Sequence, residues 1–116
     1  MSSLIVIAED DADIRAILAE VLEGEGYRVL DAADGAAALD LVERAQPDLL
    51  LTDNMMPYLL GTELIAHIYA RRGHTLPIIL LSAAPPGTVP APARFLAKPF
   101  DLTQLLDLVR SLLAGA

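Results

Sequence analysis

The chain has 116 residues, more than half of them apolar, and a formal net charge of −8. That is long enough for one domain with its own core and too apolar for a disordered chain. The acidic balance argues against nucleic acid as a direct partner, because phosphate binding needs a basic face. No apolar run approaches the roughly 18–20 residues that span a bilayer. Met1-Ser2-Ser3 has no basic region ahead of a signal-like segment, so a cytosolic protein is expected, with no membrane partner. There is no cysteine, which removes disulfides, thiolate metal sites and thiol catalysis.

Leu4-Ile5-Val6-Ile7-Ala8 is a buried-strand run that ends in Glu9-Asp10-Asp11. A helix follows, with Ile14, Ile17, Leu18, Val21 and Leu22 expected inward. Asp11 or Asp13 would cap it and Gly24 or Gly26 would end it. Tyr27 to Ala32 predicts a second strand. Asp34 then caps a helix with Ala38, Leu41, Val42 and Ala45 on one face, stopped at Gln46-Pro47. Asp48 to Thr52 predicts a third strand, with Asp53 where the chain leaves the sheet. Gly61 to Gly73 reads as a helix with Leu64, Ile65 and Ile68 inward and Arg71-Arg72 in its last turn.

Pro77 to Ser82 predicts the fourth strand. From Ala83 to Pro92 four prolines exclude a normal helix, so this crossover is expected to be irregular. Phe95-Leu96-Ala97 predicts a short fifth strand that ends at Lys98-Pro99. Asp101 caps a last helix with Leu102, Leu105, Leu106, Val109, Leu112 and Leu113 on one face, and Gly115 is a plausible stop. Continuous apolar strands alternating with helices predict a parallel sheet covered on both faces, a doubly wound α/β domain over residues 1–116.

The carboxyl ends of parallel strands are where such sheets bind ligands. Here those ends carry Glu9 and Asp10, Asp53, Ser82 and Lys98, the last being the only lysine in the chain. Asp53 alone could be a nucleophile, a metal ligand or a helix cap. Three carboxylates in one small volume repel one another, and a divalent cation relieves this. Oxygen ligands without nitrogen or sulfur favour Mg²⁺ over Zn²⁺. A lysine and a hydroxyl can meet phosphoryl oxygens, and an aspartate can become an acyl phosphate. The five groups fit phosphoryl transfer to Asp53. Asp11 reads as a cap, and His67 and His74 read as surface or boundary residues without ligand partners.

The chain also resembles the receiver domains of two-component response regulators. The resemblance rests on Val6 to Arg15, on Pro47 to Pro57 with Gly61, on Pro77 to Ala83, and on Phe95-Leu96-Ala97-Lys98-Pro99-Phe100. It implies a flavodoxin-like sheet of five parallel strands in order 2-1-3-4-5. The interval from Ser82 to Lys98 is short for that family, so its usual fourth helix is expected to be missing or reduced. Alignment on Arg15 makes Glu9 and Asp10 the acid pair. The resemblance then implies that Asp10, Asp53 and the Met55 backbone carbonyl ligate Mg²⁺, with Glu9 acting largely through water. Asp53 would accept the phosphoryl group, Lys98 would pair with it, Ser82 would swing toward it, and Phe95 would be the switch aromatic.

The implied role is a stand-alone phosphoacceptor that catalyses only its own phosphorylation and slow dephosphorylation. Its donor would be a sensor histidine kinase or a histidine phosphotransfer protein, and its output a changed protein–protein contact, as in a phosphorelay or partner docking. The resemblance also implies that the residues two after Asp53 and Ser82 influence attack by water on the acyl phosphate. Here they are Met55 and Ala84, which offer no group to orient water, so a long-lived phosphoryl group is expected. The alternatives are a receiver-like module that binds a partner without phosphorylation, and a flavodoxin-like flavin binder. The acids after strand one would repel a flavin phosphate.

Overall fold

The computed structural model describes residues 2–83 and 87–114. Five strands, β1 (Leu4–Ala8), β2 (Arg28–Ala32), β3 (Leu49–Asp53), β4 (Ile78–Ser82) and β5 (Arg94–Ala97), form one parallel sheet in order β2-β1-β3-β4-β5. Four helices cover it: α1 (Ala12–Gly24), α2 (Gly35–Ala45), α3 (Gly61–Arg72) and α4 (Leu102–Ala114). The strand order is as expected, and among the described residues no helix lies between β4 and β5. Gly115, expected to stop the last helix, and Ala84 lie outside the described residues.

Alternation along the strands builds two cores. Ile5, Ile7, Leu49, Leu51, Ile79 and Leu81 face α1 and α4, where they meet Leu18, Leu22, Leu105 and Val109. Val6, Ala8, Leu50, Ile78 and Leu80 face α2 and α3, where they meet Ala38, Val42, Leu64, Ile65 and Ile68. A strand buried on both faces favours apolar residues along its length and keeps its polar ones to the carboxyl end, which is why the apolar runs are continuous up to Thr52-Asp53 and Ser82. Between β4 and β5, Val89 and Ala93 pack on the α3 side of the core, and the Ala93 N–H donates to the Pro90 carbonyl at 3.0 Å. A proline turn therefore covers sheet that a crossover helix would otherwise cover.

Polar side chains set the helix starts. Asp11 accepts from the Asp13 and Ile14 amides at 2.9 and 3.1 Å, and Asp34 accepts from Ala37 at 2.8 Å. Asp101 and Gln104 cap α4 reciprocally, at 2.7 and 3.2 Å. Gln46 closes α2 in the left-handed region, with φ +50°, and donates to the Val42 carbonyl.

Several expectations shift. β2 starts at Arg28, not Tyr27. β3 includes Asp53, because Asp53 is still in register with Leu81 and the Asn54 N–H donates to the Leu81 carbonyl at 3.1 Å. Ile14 and Ile17 are 38% and 54% exposed, and Leu102 is also exposed. Leu18 and Leu22 are the buried residues of α1, and its apolar stripe reaches beyond them to positions open to solvent.

Candidate functional site

β1 and β3 are adjacent and parallel, with Ala8 opposite Thr52, so the residues that follow them emerge side by side. One carboxylate oxygen from each of Glu9, Asp10 and Asp53 lies within 4.8 Å of the other two. β5 lies beyond β4, and Lys98 follows its last residue. The Lys98 Nζ donates to Asp53 Oδ1 at 2.9 Å and stands 3.5 Å from Glu9 Oε1. Asp53 is 8% exposed and Glu9 is 2% exposed, while Asp10 is open to solvent. Four of the predicted site groups thus meet in one cleft.

Ser82 ends β4 and is buried. Its carbonyl accepts from the Lys98 amide at 2.8 Å, which ties the fourth and fifth strand ends together. Met55 follows in the loop after β3, with its side chain largely exposed. Phe95 stands apart from the acids, packed against the α2–α3 face of the core. Asp11 serves as the α1 cap, His67 is exposed, and the His74 ring lies 4.4 Å from that of Tyr69.

Burial and the neighbouring Asp53 charge push the Glu9 carboxyl above its ordinary range. The Asp11 amide and the Lys98 ammonium oppose this without cancelling it. For Lys98, burial disfavours the charge. The hydrogen bond and charge of Asp53, with the charge of Glu9, more than compensate and hold its pKa above the usual lysine value. Glu9 Oε2 accepts from the Asp11 amide at 3.2 Å, but buried Oε1 accepts no hydrogen bond among the described residues. A buried carboxylate oxygen met only by the 3.5 Å ion pair to Lys98, beside two further carboxylates, fits a hard divalent cation.

Two supports were not legible in the sequence. Asn54 is buried, and its Oδ1 accepts from the Thr62 amide at 3.1 Å while its carbonyl accepts from Gly61 at 2.8 Å. It caps α3 from a distance, and Leu60, at the cap position, has no acceptor to do so. Gly61 passes so close to β3 that an added Cβ would lie 2.4 Å from the Asp53 carbonyl oxygen. Arg15 was used in the sequence only to set register. Its Nη1 donates to the Glu9 carbonyl at 2.8 Å and its Nε lies 3.8 Å from Asp31 Oδ1.

A sequence model of the family described as "Response regulator receiver domain" matches residues 5–110. The transcriptional regulatory protein PdtaR of Mycobacterium tuberculosis is 36% identical over 112 residues, covering 90% of this chain and 54% of its own length. Response regulator MprA of Mycobacterium bovis is 37% identical over 119 residues, covering 97% of this chain and 51% of its own. The chain spans about half the length of the curated relatives it matches. Among solved structures, the receiver domain of a Francisella response regulator superposes with a TM-score of 0.88 at 28% identity, covering 98% of both chains. The receiver domain of a sensor histidine kinase from Pseudomonas aeruginosa, with a magnesium ion in its active-site cleft, has a TM-score of 0.89 at 29% identity. That match covers 98% of this chain and 99% of the other.

Proposed function

The chain belongs to the response regulator receiver domain family, and from that premise we propose that Asp53 accepts a phosphoryl group from a phosphohistidine donor in a Mg²⁺-dependent reaction. The observation that carries this is the cleft itself. A nearly buried aspartate ends the central strand, bonded at 2.9 Å to the chain's only lysine and grouped with two further acids.

Glu9, Asp10, Asp53 and the Met55 carbonyl would hold Mg²⁺, which supplies positive charge to the phosphoryl oxygens. An Asp53 carboxylate oxygen attacks phosphorus. The new O–P bond forms as the P–N bond to the donor imidazole breaks, and the departing nitrogen takes a proton. Lys98 is already placed on Asp53 and pairs with the arriving anionic oxygens. Ser82, at the neighbouring strand end, is the hydroxyl that contacts the phosphoryl group, and Phe95 is the aromatic whose packing responds.

Donor access is supported by an apolar concavity beside Lys98, lined by Ile14, Leu81, Ala83, Pro99 and Phe100. The exposure of Ile14 and Ile17 extends that apolar surface along α1. It would receive an apolar face of a sensor histidine kinase or histidine phosphotransfer protein in the cytoplasm. Output is a changed protein contact, in a phosphorelay or partner docking, because the crossover region offers a proline turn where a helix face would stand. Acetyl phosphate with Mg²⁺ tests the acceptor. Wild type gains one phosphoryl group and Asp53→Asn gains none; equal labelling of both rejects the site.

A further inference from the structure

The acid pair is joined by one peptide bond, between the Glu9 carbonyl and the Asp10 amide. The orientation of that peptide sets where the Asp10 carboxylate lies relative to Glu9. Glu9 is held on its strand side, where its N–H donates to the Ala32 carbonyl at 3.1 Å. Its side chain is held through Oε2 by the Asp11 amide. The joining carbonyl is held by Arg15, whose Nη1 donates to it at 2.8 Å from the first turns of α1. The Arg15 side chain is about four-fifths buried, and its Nε lies 3.8 Å from Asp31 Oδ1 near the end of β2. Asp10 is exposed, and the side-chain partner it has is Glu9 itself, so its place relative to Glu9 depends on the peptide that joins them.

We propose that Arg15 is a positioning residue for the acid pair. By bonding the Glu9 carbonyl it fixes the peptide between Glu9 and Asp10, and so spaces their carboxylates for a divalent cation. The inference rests on the metal-site reading above. It has a sign that electrostatics alone would reverse. A guanidinium near a dication site repels the ion, so removing it should strengthen binding if its charge were the whole effect. Removing a fixed outer partner of metal ligands instead weakens binding, by about 10–100-fold where such partners have been removed elsewhere.

The test is a Mg²⁺ titration of the whole chain, read from the amide NMR shifts of residues 8–11 and 52–55. Wild type, Arg15→Met and Arg15→Lys are compared, with thermal midpoints recorded in EDTA. Arg15→Met keeps an apolar stem to pack but has no donor. It is expected to bind Mg²⁺ about tenfold more weakly than wild type. Arg15→Lys, which keeps one donor, should recover much of that loss although its EDTA midpoint is no higher than that of Arg15→Met. Mg²⁺ binding by Arg15→Met at or above wild-type strength overturns the inference, and so does Arg15→Lys falling as far as Arg15→Met. Wild type that shows no saturable shift overturns the metal-site reading as well, so the two failures are distinct.

Discussion

At the scale of single residues, the cleft holds charge in tension. Glu9 is buried with an oxygen that accepts no hydrogen bond among the described residues, and its carboxyl is pushed above the ordinary value of 4.5. A carboxyl raised on folding stabilises the folded state only when protonated. Its benefit is full below the unfolded pKa and is lost as pH rises through the folded one. Without metal, Glu9→Gln is therefore expected to raise the thermal midpoint at neutral pH, and the gain should shrink as pH falls toward 4.5. Mg²⁺ binding by the same variant should weaken. Calorimetric melts across pH in EDTA, with a parallel Mg²⁺ titration, check both; a midpoint lowered at neutral pH would contradict the assignment. Lys98 was easy to single out in the sequence because no other lysine competes with it. Arg15 was not, because its partner is a backbone carbonyl, and composition and spacing carry no sign of such a bond.

At the scale of elements, the loop from β3 to α3 ties the acceptor to its helix. Gly61 is the close approach: a Cβ there would lie 2.4 Å from the Asp53 carbonyl, 2.7 Å from Leu80 Cδ1 and 2.9 Å from Asn54 Cα. Two of the three are backbone atoms, which cannot turn aside. Gly61→Ala should cost about 1–3 kcal/mol in urea unfolding and slow labelling of Asp53 by acetyl phosphate. Unchanged stability would show that α3 is free to shift. The same loop holds Tyr58 at φ +70° in a tight turn, with the Leu59 N–H on the Pro57 carbonyl at 2.8 Å, and leaves its ring 88% exposed. A left-handed backbone strains a side chain that makes no compensating burial. Tyr58→Gly should stabilise the chain by about 1 kcal/mol, read as a shift of the urea midpoint at constant slope. Strands and caps were legible because apolar runs and cap residues act locally. The exposure of Ile14 and Ile17 was not, since apolar spacing marks a helix face and not which of its residues the packed neighbours cover.

At the scale of the whole molecule, acids gather at the carboxyl end of the sheet while the crossover from β4 to β5 is built differently from the rest. Tyr69 of α3 packs near Val89 and Ala93. Burial pushes its phenol up and the nearby Ala93 amide opposes this, but that amide is directed to the Pro90 carbonyl and the hydroxyl makes no well-formed hydrogen bond among the described residues. Tyr69→Phe removes that unsatisfied group and should be neutral or stabilising, by up to about 1–3 kcal/mol. A loss of stability would reveal a partner for the hydroxyl. The five-strand order followed from strand–helix alternation with the family resemblance, and the lack of a crossover helix among the described residues followed from prolines and a short interval. How the proline turn covers the core was beyond reach, because the packing of Val89 and Ala93 on the α3 side joins residues far apart in the chain and leaves no mark in local spacing.

The central claim is that Asp53 is the acceptor. It is tested most directly by incubating the chain and Mg²⁺ with a phosphorylated histidine phosphotransfer protein, then reducing with borohydride and mapping peptides. An acyl phosphate on Asp53 yields homoserine at position 53, with none formed in Asp53→Asn or in EDTA. Homoserine at another aspartate, or label retained on a histidine, would contradict it.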